Sequence, residues 1–457
     1  MRSEWATSIE GWLTFIVCCF ALVANSYLVL AAWRRSPLGT VTSVVMLQIL
    51  VGTALVPFLS ALGLGRSGFH ATQYLLQNKA PGLYSGLHLG LFSIGSLLGW
   101  HFGLKHSSSR SFVAVIGWPL FRLDAFRCTL LLLSLSFLSY AALFALVDWD
   151  VLLSNARGAS REVYGEQQSY LFLKSVASVG MYSVCFLPSM LKHGERARLS
   201  FVCGLILFYV ILTFAIGISR NLILWTALVP AVVLIRYSGL GLLGRVIGTL
   251  SAFCFAAFVL VYGKSYSQVQ RRFVTDGELS SLESSGGEGA LSALLANLEF
   301  QWYSIDAGIR NCLDGNPPPL LEFALAISIG FVPAGMLESA GFGDLAYSSH
   351  AERGISFINA SYFSLGDGTV PPGIVGYSAY LGPWLMGFVV GFLFLFLLSS
   401  SLQFSRRSGL AQASAVSWFC SLLVINWMSF IPMAGALATF CLIVMYAYSF
   451  GSMVLRR

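Results

Sequence analysis

Arginine carries a planar fork of N–H donors that grips two phosphate oxygens at once, and this chain places arginines where a charge needs a reason. Arg220 sits in the short stretch Ile218-Ser219-Arg220-Asn221 between two apolar runs. With Ser219 as N-cap, the second run begins as a helix whose end presents Arg220 and unbonded backbone N–H groups, a ready anion site. The same side chain would equally serve as an interfacial anchor, snorkelling to headgroups. Arg157 and Arg161 lie four apart in NARGASREVYGE, with Asp148 and Asp150 just upstream. On a helix they share a face; a solvated charge cluster is the plainer reading. Arg271 and Arg272 are adjacent, so on a helix they point apart. Arg272 is the candidate of that pair, with lipid phosphate as its alternative partner.

Groups able to move a proton gather in GFGDLAYSSHAERGISFINASYFSLGDGTVPPG, residues 341–373: His350, Glu352, Asp344 and Asp367. Phe342, Tyr347, Phe357, Tyr362 and Phe363 stand among short polar residues there. Aromatic faces beside hydroxyl and amide groups suit carbohydrate, which has apolar ring faces and many hydroxyls; an ordinary surface loop has a similar composition. No HExxH or paired CxxC spacing appears, so no metal site is expected. Neither a G-x-S-x-G elbow nor a P-loop is present. Of nine cysteines, only Cys312 lies in residues 264–371, which excludes a disulfide within that segment.

The elements that must hold these residues are membrane spans. The 457 residues are 56% hydrophobic and only 10% charged, with mean hydropathy +0.76, too little charge to cover a soluble protein. Uninterrupted runs such as 201–216 exclude the alternating pattern of a β-barrel. The expected class is an all-α polytopic membrane protein. Eleven spans of about 20 residues fall near 11–33, 40–64, 82–104, 128–149, 170–190, 199–218, 221–236, 246–263, 373–400, 410–429 and 433–452. Residues 111–121 are too short to cross. The run 319–336 carries Glu322 and Pro333 and reads as re-entrant or interfacial. The N-terminus lacks the basic region and cleavage site of a signal peptide, so the first run reads as a retained span.

Three regions follow: a transmembrane bundle over 1–263, one large loop over 264–371, and C-terminal spans over 372–457. The loop holds twelve acids and five cations, Lys264, Arg271, Arg272, Arg310 and Arg353. Within it, 280–290 reads as a flexible linker and 291–304 as an amphipathic helix. One set of alternate loops holds Arg34, Arg35, Lys105, Arg198, Arg245, Arg406 and Arg407 among others, and the positive-inside rule makes that set cytoplasmic. The large loop then lies outside. The net charge of +7 belongs to these loops and marks a membrane partner rather than a nucleic acid.

Several residues together resemble the bacterial O-antigen polymerases, the Wzy-type polymerases of oligosaccharide repeat units. The outer turn Ile218-Ser219-Arg220-Asn221 looks like their arginine turn. FVPAGML (331–337) is similar to a proline-bearing segment of theirs, and GYSAYLGPWLMGFVVGF (376–392) resembles the tyrosine-bearing start of a late span. The resemblance covers about a quarter of the chain. Many members carry a glutamate just before that tyrosine stretch; here Val375 and Gly376 occupy the place, so a role for that acid is not carried over. An Arg-x10-Gly motif, seen in some outer loops of the family, is not found.

The resemblance implies a GT-C-like, metal-independent membrane glycosyltransferase without cofactor, in the bacterial inner membrane and active at its periplasmic face. Donor and acceptor would both be oligosaccharides on undecaprenyl pyrophosphate, and a chain-length-regulating co-polymerase is a possible partner. On that reading Arg220, Arg157, Arg161 and Arg272 bind pyrophosphate. His350, Glu352 and Asp367 are the catalytic candidates, and Tyr377, Tyr380 and Arg353 contact substrate. An O-antigen ligase, which uses the same donor and an outer-loop histidine, keeps His350 in play. A transporter or flippase of lipid-linked sugars would need charges along a mid-membrane path; Lys174 alone is placed well inside a span, and no repeat relates the two halves.

Overall fold

The computed structural model describes residues 9–34, 81–106, 125–146, 176–187, 196–215, 241–252, 300–316, 339–341, 358–363 and 372–408, with isolated positions between them. Every element among the described residues is helical. In chain order these are α1 (Ile9–Trp33), α2 (Leu83–His106), α3 (Ala125–Leu146), a 3-10 helix (Ser178–Phe186), α4 (Arg196–Ala215), α5 (Phe300–Leu313), α6 (Gly373–Leu381) and α7 (Leu385–Ser408). Among the described residues, three stretches are long and apolar enough to cross a membrane: Ile9–Trp33, Leu83–Lys105 and Phe126–Leu146. The chain divides into two compact units: Met1–Leu120 with Leu291–Thr439, and Phe121–Ala290 with Phe440–Arg457.

The first unit is built inside out relative to a soluble protein. On α1 the large apolar side chains Ile9, Trp12, Ile16, Val23 and Leu30 are exposed, while Gly11, Thr14, Cys18, Ala21, Asn25, Leu28 and Ala32 are buried. The buried set advances by alternating steps of three and four, one continuous seam of mostly small residues. Between helices in lipid, burying bulk brings little, because the solvent is as apolar as leucine; close backbone approach and hydrogen bonds hold helices together instead. Asn25 supplies such a bond, donating Nδ2–H to Ser93 Oγ on α2 at 3.3 Å and to its own Ala21 carbonyl at 2.8 Å.

The seam between α2 and α7 rests on Gly95, Gly99 and Gly103, spaced by four. A Cβ on Gly95 would lie 2.2 Å from the Phe388 carbonyl oxygen, and one on Gly99 would lie 2.1 Å from that of Phe392. On Gly103 it would meet Ser399 Oγ at 2.0 Å. Backbone therefore touches backbone along about two turns. Ser399 and Ser400 donate hydroxyl protons to the Gly99 and Gly103 carbonyls at 3.3 and 3.4 Å. Phe388, Phe392 and Phe396 stack one above another along α7, with ring centroids 6.4 and 5.8 Å apart.

These contacts also fix direction. Gly82, Gly86 and Gly90 of the α2 segment meet Glu10, Thr14 and Val17, and Gly95, Gly99 and Gly103 meet progressively later residues of α7. Numbers rise together in both seams, so α1, α2 and α7 run parallel.

One expected span is corrected. Residues 373–400 do not form a single helix: α6 ends at Leu381 and α7 begins at Leu385. Pro383 has no N–H to donate and pushes its predecessor out of the α region, so Gly382 is extended at φ 161°, ψ 126°. Trp384 follows in the left-handed region at φ 61°. Of the expected amphipathic helix over 291–304, residues 291–299 lie outside the described residues; residues 300–304 open α5, whose residues 301–309 are buried on every side, so this part is an internal helix.

In the second unit, the expected span 170–190 contains the 3-10 helix, where Ser183 donates back to the Gly180 carbonyl at 2.6 Å. A Cβ on Gly180 would strike the Tyr209 ring at 2.6 Å, so the glycine lets α4 approach. Tyr209 donates its hydroxyl proton to the Ala177 carbonyl, and Tyr140 of α3 bonds Thr213 of α4. The expected spans 40–64, 221–236, 410–429 and 433–452, with segments 111–121, 280–290 and 319–336, lie outside the described residues, apart from isolated positions.

Candidate functional site around the buried helix α5

Helix α5 falls in the segment that the sequence leads one to expect as a large loop, yet it is packed as a core helix. Its sequence, FQWYSIDAGIRNCL, puts polar groups on two faces, and Asp306 on one and Ser304 and Cys312 on the other find partners. On one face Asp306, 6% exposed, accepts three hydrogen bonds. Tyr74 Oη–H donates to Oδ2 at 2.5 Å, Arg310 Nε–H donates to Oδ2 at 2.6 Å, and Ser85 Oγ–H donates to Oδ1 at 2.8 Å. A buried carboxylate is tolerable only with such a full complement and a countercharge. Arg310 lies one turn on and keeps about a third of its side chain exposed, 35% against 9% for Asp306. Burial opposes its charge most, but the Asp306 carboxylate, Tyr74 and Tyr362 together outweigh that and raise its pKa. Burial first, then the negative Asp306, pushes the Tyr74 phenol well above its ordinary value, so it stays a donor. Tyr303 and Phe363 enclose the Tyr74 ring, with centroids 5.0 and 5.3 Å away.

The other face of α5 lies on α6. Gly308 leaves no room for a side chain, since its Cβ would sit 2.9 Å from Ala379 Cβ and from the Tyr380 ring. Cys312 donates its thiol proton towards the Ala379 and Tyr380 carbonyls at 3.3 and 3.0 Å, and burial raises its pKa. Asn359 bridges the two helices. Its Nδ2–H donates to Ser304 Oγ at 2.8 Å, and its Oδ1 accepts from the Tyr380 hydroxyl at 3.0 Å.

His88 of α2 secures the break after α6. Its Nδ1 accepts the Trp384 backbone N–H at 2.9 Å, and its Nε2 lies 2.9 Å from Ser378 Oγ. Ser378 already donates its proton to the Val375 carbonyl at 2.7 Å. The bonds therefore assign one tautomer: Nε2–H donates and Nδ1 accepts. In that state Nε2 has no lone pair for Ser378, so this Ser–His pair is not an activated nucleophile. It is a staple across the break, and it positions Trp384 in its left-handed conformation.

The Asp306 and His88 clusters lie at one end of the unit, where α1 and α2 start. Glu10 is at that end too, accepting the Leu83 N–H at 3.4 Å, a carboxylate at a helix N-terminus. The opposite helix ends carry Arg34, Lys105, Arg406 and Arg407.

Of the residues expected to do chemistry, the structure describes Tyr377 and Tyr380. Both are buried, 2% and 0% exposed, and Tyr380 is held by Asn359. His350, Glu352, Asp367, Arg220, Arg157, Arg161, Arg272 and Arg353 lie outside the described residues. Sequence reasoning passed over Asp306, Arg310, Tyr74, Ser85 and Asn359. The available signal was an acid and a base four apart on an otherwise uncharged, aromatic-rich stretch. Among the described residues no three His, Cys, Asp or Glu side chains stand close enough to share a metal ion. Comparison of the chain with protein-family models, with curated proteins and with solved structures finds no match.

Proposed function

We propose that the chain is a membrane glycosyltransferase that polymerises undecaprenyl-pyrophosphate-linked oligosaccharide repeat units at the periplasmic face. The observation that carries the reading is the seating of α5. A helix from the large loop is fastened by Asp306 to the membrane helix α2 and by Asn359 and Cys312 to α6, which opens the tyrosine-bearing block of the polymerase resemblance. Scaffolding of this kind suits a loop that must hold two substrates in register above the bilayer. The polar clusters occupy the end opposite Arg34, Lys105, Arg406 and Arg407, which the positive-inside rule assigns to the non-cytoplasmic side.

In this mechanism the acceptor's terminal hydroxyl attacks the anomeric carbon of the donor glycan, and undecaprenyl pyrophosphate departs. Negative charge grows on the leaving group, so donors aimed at it lower the barrier. Arg220, with Arg157, Arg161 and Arg272, is assigned that task. His350, Glu352 or Asp367 receives the hydroxyl proton. The test is a deletion strain. A surface polysaccharide ladder that collapses to core plus one repeat unit supports polymerisation. Complete loss of the polysaccharide would instead identify a ligase or a flippase.

A further inference from the structure

Gln301 is 1% exposed, and both polar atoms of its amide are buried without a hydrogen-bond partner. An unpaired buried amide costs stability, and a folded chain retains such a group where something else uses it. Its place on α5 is set by helical geometry. Successive residues turn by about 100°, so Gln301 shares a face with Ser304, Gly308 and Cys312. That face packs on α6: a Cβ on Gly376 would meet Ser304 Cβ at 3.3 Å, and Gly308 and Cys312 meet Ala379 and Tyr380. Numbers rise together along this contact as well. Gln301 is about 4.5 Å further back along the axis than Ser304, level with the first turn of α6.

That first turn has no side-chain cap. Pro372 at the cap position makes no side-chain hydrogen bond, and Gly373 enters at φ 72°. Gly373, Ile374, Val375 and Gly376 are all buried. The first N–H groups of a helix have no intrahelical acceptor. An uncapped first turn and an unpaired amide therefore stand together: several donors and one acceptor.

We propose that Gln301 and the first turn of α6 form a subsite for a neutral glycan hydroxyl. The amide oxygen accepts the hydroxyl proton, and the amide nitrogen and helix N–H groups donate to its oxygen. A hydroxyl has both capacities; a phosphate has only acceptors and a charge. The only cation of α5, Arg310, projects from the opposite face beside Asp306, and α6 carries none. A buried anion here would find no countercharge on this face of α5 or on α6. The subsite rests on the glycosyltransferase reading and names the substrate group that this part of it recognises.

The test compares the full-length wild type with Gln301→Met and Gln301→Glu in detergent. The probe is the lipid-linked repeat unit purified from the source strain. Methionine is close in size and removes both polar atoms. The expected result is that ligand-free Gln301→Met unfolds at the wild-type temperature or higher, while its half-saturating substrate concentration rises about tenfold, the loss of one hydrogen-bonded group. Gln301→Glu, which keeps the acceptor but loses the amide donor, should also bind more weakly. Equal binding by wild type and Gln301→Met overturns the subsite and makes Gln301 a water-satisfied core residue, leaving the enzyme reading intact. Wild type that neither binds nor elongates the lipid-linked unit overturns the enzyme reading itself.

Discussion

At the scale of the residue, Asp306 gathers three donors, from Tyr74, Ser85 and Arg310. Replacing Tyr74 by Phe removes one of its three donors and leaves part of a buried carboxylate unsatisfied. The expected cost is about 2 kcal/mol, the range for a hydrogen bond to a charged group, read as a lower unfolding temperature in detergent. The sign with pH follows from the raised phenol pKa. Tyr74's contribution is fully present below about pH 10, where a tyrosine in the unfolded chain titrates, and is lost as pH rises, because the unfolded state gives up its proton first. The gap between wild type and Tyr74→Phe should narrow above that pH; a gap that widens there would contradict the assignment of Tyr74 as the donor. Arg220→Ala should abolish polymerisation at normal protein level, and Arg220→Lys should restore only part, since an ammonium lacks the bidentate fork. Arg157→Ala and Arg161→Ala should be milder. Full activity in Arg220→Ala would reduce that turn to an interfacial anchor. The Asp306–Arg310 pair was legible in the sequence as two charges four apart. Its partners were not, because Tyr74 and Ser85 are 232 and 221 residues away and no periodicity links them.

At the scale of the element, the long apolar runs spoke plainly: α1, α2 and α3 fall within a few residues of where the sequence placed them. Hydropathy could not show how a run ends inside itself. Gly382-Pro383 breaks the run 373–400, yet both sides are apolar, so mean hydropathy runs straight across the break. Nor could it show that residues 301–309 of α5 are buried all round, because Ser304 and Asp306 find partners far away in sequence. The α2–α7 seam gives a direct test. Gly99→Leu forces a side chain into the Phe392 carbonyl and should prevent accumulation of folded protein, whereas Gly204→Leu, whose Cβ meets nothing within 4 Å, should be tolerated. Gly99→Ala should cost about 1–3 kcal/mol, the usual range for overpacking. Equal expression of Gly99→Leu and Gly204→Leu would refute the seam.

At the scale of the whole molecule, direction constrains topology. If α2 and α7 cross the membrane in parallel, an odd number of crossings separates them. The sequence places five there, and counting 319–336 as a sixth would turn α7 around. Reporter fusions after Arg35, Arg198 and Arg407 should therefore read cytoplasmic, and fusions at Glu288 and Ser349 periplasmic. A cytoplasmic signal at Ser349 would put the proposed site on the wrong face. The central claim is that the chain joins lipid-linked glycans there, and single-turnover elongation measures it most directly. Purified protein in liposomes would be given the lipid-linked repeat unit as both donor and acceptor, with wild type beside Arg220→Ala, His350→Ala, Glu352→Gln and Asp367→Asn. Loss of the base should cut turnover by about 10²–10⁴-fold with little change in binding. The account predicts dimers and longer oligomers on undecaprenyl pyrophosphate from wild type and none from Arg220→Ala; wild type that binds the lipid-linked unit yet never lengthens it would contradict the account.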